Sequence, residues 1–209
     1  ELSILGPDLM EKMRAQAKQH GAELLIETAA SVDCAQPPYT VTTATQKSFT
    51  TKTIIIATGS SHRPLGCPGE KEYFARGVAT CATCDAPFYK DRHVMVVGGG
   101  NSAVTEAEHL AHFASKVTIV HILDKLTATD PIKDKVIANP KINFIFESTV
   151  KEICGDGNRL THAVIEHQKT KALTELAADG IFVAIGFTPN TQLFKGKLEI
   201  DQYGYLKLF

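Results

Sequence analysis

One turn constrains this chain more than any other feature. Gly98-Gly99-Gly100-Asn101-Ser102-Ala103 has the form Gly-x-Gly-x-x-Ala. An apolar run at 93–97 leads into it. A helical pattern over 101–114 leads away, with Ala103, Val104, Ala107, Leu110 and Ala111 on one face, and a second apolar run follows at 116–123. Strand, glycine turn, helix and strand in that order predict an α/β unit of the dinucleotide-binding kind. Gly98 permits the tight turn and Gly100 lets the backbone approach a pyrophosphate. Ala103 is small enough for close helix–strand packing, and the helix start supplies amide donors and positive potential. A turn that merely joins strand to helix is the plainer alternative, and the flanking strands favour the nucleotide. Its phosphorylation is left open: Asp124 comes late for an acid on a ribose hydroxyl, and Lys125 is a thin case for a 2′-phosphate site.

A second motif lies about a dozen residues upstream, Cys81-Ala82-Thr83-Cys84-Asp85. A Cys-x-x-Cys can close a small disulfide loop, and a helix start beside one thiol favours its thiolate. Asp85 is placed to handle the proton released when a dithiol opens a disulfide. Half of a zinc site is the alternative, but it needs a second pair at ligand spacing. Cys34, Cys67 and Cys154 stand alone and the histidines form no close pair, so redox chemistry is expected and a metal is not. The three lone cysteines read as buried small hydrophobes.

The rest of the chain reads coarsely. Residues 3–20 predict a helix with Leu9, Met10, Met13 and Ala17 on one face, stopped by Gly21. Residues 24–26 and 31–33 are short strand candidates, 39–43 and 47–51 a hairpin, and 53–59 a strand buried on both faces. Residues 60–70 hold Pro64, Gly66, Pro68 and Gly69 and predict a linker. Further on, 131–138 predicts a short helix, and 142–146, 150–154, 160–167, 172–177 and 181–186 predict strands. Residues 187–190 read as a turn or second linker. The 22 basic and 23 acidic residues leave a net charge of −1, which argues against a nucleic-acid binder. No apolar run approaches the roughly 20 residues of a membrane span. Five cysteines are too few, and odd in number, for a secreted disulfide scaffold, and no targeting segment is visible. A cytoplasmic location is expected.

Together the two motifs and Val183-Ala184-Ile185-Gly186-Phe187-Thr188-Pro189-Asn190 resemble the low-molecular-weight thioredoxin reductases. Gly6-Pro7-Asp8-Leu9-Met10 and Ile55-Ile56-Ala57-Thr58-Gly59-Ser60 look like that family too, so the likeness runs along essentially the whole chain. It implies an α/β flavoprotein: a Rossmann-like NAD(P)H-binding domain with a redox-active disulfide, residues 63–189, inserted into an FAD domain of similar fold, residues 1–62 and 190–209. Both ends of the FAD domain are expected to be missing, so that the chain is a fragment that holds FAD weakly. By position, Cys84 is similar to the thiol that faces the flavin, Cys81 to the one that attacks the partner, and Asp85 to the acid/base. Thr58 and Gly59 correspond to a segment along FAD. Ser102, Ala103, His121 and Ile185 correspond to nucleotide contacts, alongside Gly98, Gly100, Asn101 and Gly186. The implied activity passes electrons from NADPH or NADH through FAD to the disulfide and on to thioredoxin or a similar small dithiol protein, with a homodimer when full-length. Two rivals are an NADH-dependent reductase of a peroxiredoxin partner and a non-catalytic nucleotide sensor on the same fold. The likeness breaks in two further places. The family's His-Arg-Arg after the second strand reads His121-Ile122-Leu123, with Thr127 at a later arginine position, and the glycine usual after the acid is Ala86.

Overall fold

The computed structural model describes residues 4–208. The chain forms two compact units, one made of residues up to Thr58 together with those from Asn190 onward, the other Gly59–Pro189.

The first unit begins with α1 (Gly6–Gln19), which has Pro7 in its first turn, where a missing amide hydrogen costs nothing, and Asp8 at its positive end. The expected start at residue 3 lies outside the described residues. Its apolar side is not covered: Leu9, Met10 and Met13 are exposed, and no residue of α1 is buried. A three-stranded antiparallel sheet follows, β1 (Ala29–Asp33), β2 (Tyr39–Thr43) and β3 (Ser48–Thr51), in that order. The hairpin is as expected. The strands expected at 24–26 and 53–59 do not form, and both segments run without regular structure. Ile26 is 98% and Ile55 92% exposed. An apolar run becomes a buried strand only when neighbours supply ladder bonds and two covering layers, and among the described residues neither run has them.

The central unit contains β4 (Ser60–His62), β5 (Val78–Ala79), α2 (Ala82–Asp85), β6 (His93–Val97), α3 (Asn101–Ala111), β7 (Lys116–Val120), α4 (Asp130–Ile137), β8 (Ile142–Ile145), β9 (Ser148–Gly155), β10 (Leu160–His167), β11 (Leu173–Ala177), β12 (Gly180–Val183) and β13 (Phe187–Pro189). Five of these strands make a parallel sheet in the order β5-β12-β6-β7-β8. Alternation sorts its side chains into two cores. Val94, Val96, Val117, Ile119 and Phe182 pack with α3 and with Ala82, Ala86 and Val136 on one face. Met95, Val97, Val120, Ile181 and Val183 pack with Val150, Ile153, Leu160, Ala163 and Ile165 on the other. The antiparallel strands β9, β10 and β11 are thus a covering layer, and the sheet is apolar on both faces because both are buried.

The expected linker and turn need correction. Ser60–His62 pairs with Phe187–Pro189, and the Arg63 amide donates to the Gly186 carbonyl at 2.9 Å. This ribbon ties residues 60–62 to the central unit, so the change of unit falls at Thr58 rather than after 62. The lone cysteines are also less covered than expected: Cys34, Cys67 and Cys154 are all half-buried. Burial and the nearby Glu70 push the Cys67 thiol up to about 11, which makes it a poor nucleophile.

Candidate functional site

Beyond the ends of β6, β7 and β12 lies a cleft of about 570 Å³. The glycine turn forms its floor. Gly98 has φ +137°, and a Cβ there would stand 2.3 Å from the Ala184 carbonyl oxygen, so only glycine fits. Gly99, to which the motif assigns no role, is equally constrained: a Cβ there would lie 2.5 Å from the His121 ring. Gly100 caps α3 with extended backbone, and the nearest atom to a Cβ placed there is Thr127 Oγ1 at 3.8 Å. The protein itself therefore does not require glycine at 100, and the open side of that residue is where a pyrophosphate would come close. The first-turn amides of α3 have no partner within the helix and add positive potential there.

The loop after β7 is pinned onto this turn. Thr127 donates from its amide at 2.8 Å and from Oγ1 at 3.2 Å to the Gly99 carbonyl, and the Thr129 amide donates to Asn101 Oδ1 at 2.8 Å. Gly98, Gly100, Asn101, Ser102, His121, Ile185 and Gly186 all line the cleft. Ala103 does not line it. It is fully buried, and a Cβ on Gly98 would lie 3.1 Å from its Cβ, so it packs directly beneath the turn. Thr58 and Gly59 are not part of the cleft.

His121 is 7% exposed and its Nε2 has no hydrogen-bond partner. Burial lowers its pKa, while a bond to the Lys125 backbone opposes that shift. A buried polar atom without a partner costs free energy unless something meets it. The room at Gly100 and the unpaired amides at the start of α3 fit a nicotinamide dinucleotide. Sequence reasoning missed Arg63, Leu65 and the start of β9 (Ser148, Thr149, Val150), which also line the cleft. They come from distant segments, and no local motif marks them.

Cys81 and Cys84 are joined in a disulfide with their Cα atoms 5.3 Å apart. Cys81 is the N-cap of α2, and its Sγ accepts from the Cys84 amide at 3.2 Å. Ala82 and Ala86 are buried in the same core as Ala103 and Ala107 of α3. The disulfide helix is therefore seated on the helix that opens at the glycine turn. Ala86 has ordinary right-handed helical backbone (φ −50°, ψ −39°), so the alanine disturbs nothing. Asp85 is half-buried, and its charge helps hold the Tyr89 hydroxyl above its usual range, after desolvation. Among the described residues no group of three or more His, Cys, Asp or Glu is placed to hold a metal, and no helix is long and apolar enough to cross a membrane.

Comparison with known proteins gives a consistent picture. The pyridine nucleotide-disulphide oxidoreductase family model matches residues 5–208. A thioredoxin reductase of Streptomyces clavuligerus is 47% identical over 205 residues, which are 98% of this chain and 63% of that protein. One from Streptomyces coelicolor is 44% identical, with the same shares of 98% and 63%. The crystal structure of Lactococcus lactis thioredoxin reductase superposes with a TM-score of 0.83 at 38% identity, over 97% of this chain and 67% of that one. The chain thus spans a little under two thirds of the length of these curated relatives.

Proposed function

The chain belongs to the pyridine nucleotide-disulphide oxidoreductase family, and we propose that the whole protein uses a nicotinamide dinucleotide to reduce thioredoxin or a similar small dithiol protein. One observation carries the reading. A Cys81–Cys84 disulfide and a glycine-turn cleft share one unit, on helices packed in one core. Relatives named thioredoxin reductase support the choice of partner. On this reading Gly59–Pro189 is the nicotinamide unit, inserted into a flavin domain. A homodimer and a cytoplasmic location come from the resemblance.

The net reaction passes two electrons from the reduced nicotinamide to the partner's disulfide. The nicotinamide becomes oxidised, and two thiols form with one proton taken from solution. In the partner half, the Cys81 thiolate attacks one sulfur of the partner disulfide, and the other sulfur leaves as a thiolate that collects a proton. Cys84 then attacks Cys81 Sγ, which releases the partner's second thiolate and restores the Cys81–Cys84 bond. The Cys84 amide already donates to Cys81 Sγ, and that donor would stabilise the Cys81 thiolate in the reduced pair. Asp85 would relay the proton between the thiols and water.

The family implies FAD, which when bound supplies electron transfer between nicotinamide and disulfide. By the resemblance Thr58 and Gly59 would lie along it, and the Thr58 carbonyl accepts from Asn190 Nδ2 at 3.0 Å. Two measurements test the proposal. Peptide mapping without reductant should find Cys81 linked to Cys84, and two free thiols there would end the redox role. In the full-length enzyme, Cys84→Ser should abolish steady-state thioredoxin reduction, and an unchanged rate would show that electrons take another route.

A further inference from the structure

The cleft also carries information on which nucleotide it takes, a question that rests on the dinucleotide reading above. The strand order places the crevice between β6 and β12, with β7 on the other side of β6. In such sheets the group that meets the ribose 2′ position comes from the end of the strand after the glycine-turn helix, here β7 and the loop behind it. Those residues are His121, Ile122, Leu123, Asp124, Lys125 and Thr127.

Of these, Ile122 and Thr127 line the cleft beside the buried His121 ring, and the polar one offers an acceptor. Thr127 Oγ1 spends its single proton on the Gly99 carbonyl, so toward a ligand it can only accept. His121 packs its ring against Gly99 with Nε2 buried, and burial lowers its pKa, which disfavours a cation there. A ribose hydroxyl can donate to the Thr127 oxygen. A phosphate cannot: it carries roughly −1.5 to −2 charge and only acceptor oxygens.

The surrounding charge points the same way. Ile122 lines the cleft and is 52% exposed, and Leu123 beside it is 47% exposed. Neither can donate a hydrogen bond. Lys133 is paired with Asp130 at 2.5 Å, and Lys169 is paired with Glu147. Lys125 is an exposed cation next to Asp124, and Asp124 is near enough to contribute to holding the Lys169 ammonium above its usual range. Arg63 is the one cationic side chain lining the cleft among the described residues, but its backbone is tied to Gly186 beyond β12. That is two strand spacings from β7, about 10 Å.

We propose that this cleft takes NADH, with a free 2′-hydroxyl beside the acceptor Thr127 Oγ1, in preference to NADPH. Phosphate at that position would meet an acceptor and an apolar rim, and among the described residues no cation lines the cleft on that side to return charge-assisted bonds.

Calorimetric titration of the 209-residue chain with NADH and with NADPH, at a fixed ionic strength, tests this. NADH should bind more tightly, by about tenfold. NADPH binding tighter than NADH overturns the inference and leaves the dinucleotide reading intact. Binding of neither overturns both. Fragment probes give an independent arm: 5′-AMP should compete better than adenosine 2′,5′-bisphosphate, and the reverse order counts against the proposal. Replacing Ile122→Arg and Leu123→Arg together supplies a guanidinium pair on an exposed rim. The NADPH-to-NADH affinity ratio should then rise by about tenfold or more. An unchanged ratio would mean that the 2′ position lies elsewhere.

Discussion

Ile54-Ile55-Ile56 in the first unit and Val94-Met95-Val96-Val97 in the central unit are the same kind of sequence, yet they end in opposite environments. Val94, Met95 and Val96 are 0% exposed, whereas Ile55 is 92% exposed. The second run has β12 and β7 as ladder partners, helices over one face and β9–β11 over the other. The first has no ladder partner among the described residues. β-character in a sequence describes a fit to a surface, and the surface must come from elsewhere in the fold.

Truncation in each of the two settings is the hardest test of that contrast. Phe182 is fully buried, stacks edge-on to Tyr89 at 5.2 Å, and sits between β5 and β6. Phe182→Ala should cost about 3–5 kcal/mol in urea unfolding. Ile55→Ala should cost less than about 0.5 kcal/mol. A large loss at Ile55 would show that the segment is covered in solution and would break the comparison.

The glycine turn sharpens it within the central unit. Gly98→Ala puts a Cβ 2.3 Å from the Ala184 oxygen at a backbone angle that side chains avoid, and Gly99→Ala puts one 2.5 Å from the His121 ring. Each should cost about 1–3 kcal/mol of stability and lower nucleotide affinity. Gly100→Ala should leave stability nearly unchanged, within about 0.5 kcal/mol, yet weaken nucleotide binding. Equal stability losses at all three positions would mean that the turn is purely structural.

The smallest effect concerns Glu106 of α3. Its Oε2 is buried without a partner, and desolvation raises its pKa to about 7. The folded state holds the proton more tightly than the unfolded chain, so stability from this group is full below the unfolded value of 4.5 and falls as pH rises toward about 7. The side chain is partly solvated, which reduces the penalty. Glu106→Gln should stabilise the chain by about 1 kcal/mol at pH 8 and change little at pH 4. A gain that is independent of pH would assign the effect to packing.

Much of the central unit is legible in the sequence. The glycine turn, the strands at 93–97 and 116–120, and helix α3 follow from local pattern, because each is set by backbone freedom or by side-chain period within a few residues. Cys81 and Cys84 are legible for the same reason, since two intervening residues bring the thiols within reach. Other features are not. Residues 60–62 and 187–189 carry turn chemistry, and they become strands only because each completes the other. Residues 24–26 and 53–59 carry strand chemistry and lack the partner.

The sequence alone determined the glycine turn and the disulfide loop, since these depend on neighbours along the chain. The tertiary structure decided what surrounds them. It placed Arg63 and Ser148 on one cleft with Gly98, and laid β9–β11 over the sheet. It also pressed His121 onto Gly99 and turned the Thr127 hydroxyl toward the Gly99 carbonyl. Those arrangements join segments tens of residues apart. They arise from burying both faces of one sheet and from finding partners for the polar groups left at its edge, which no local window of sequence specifies.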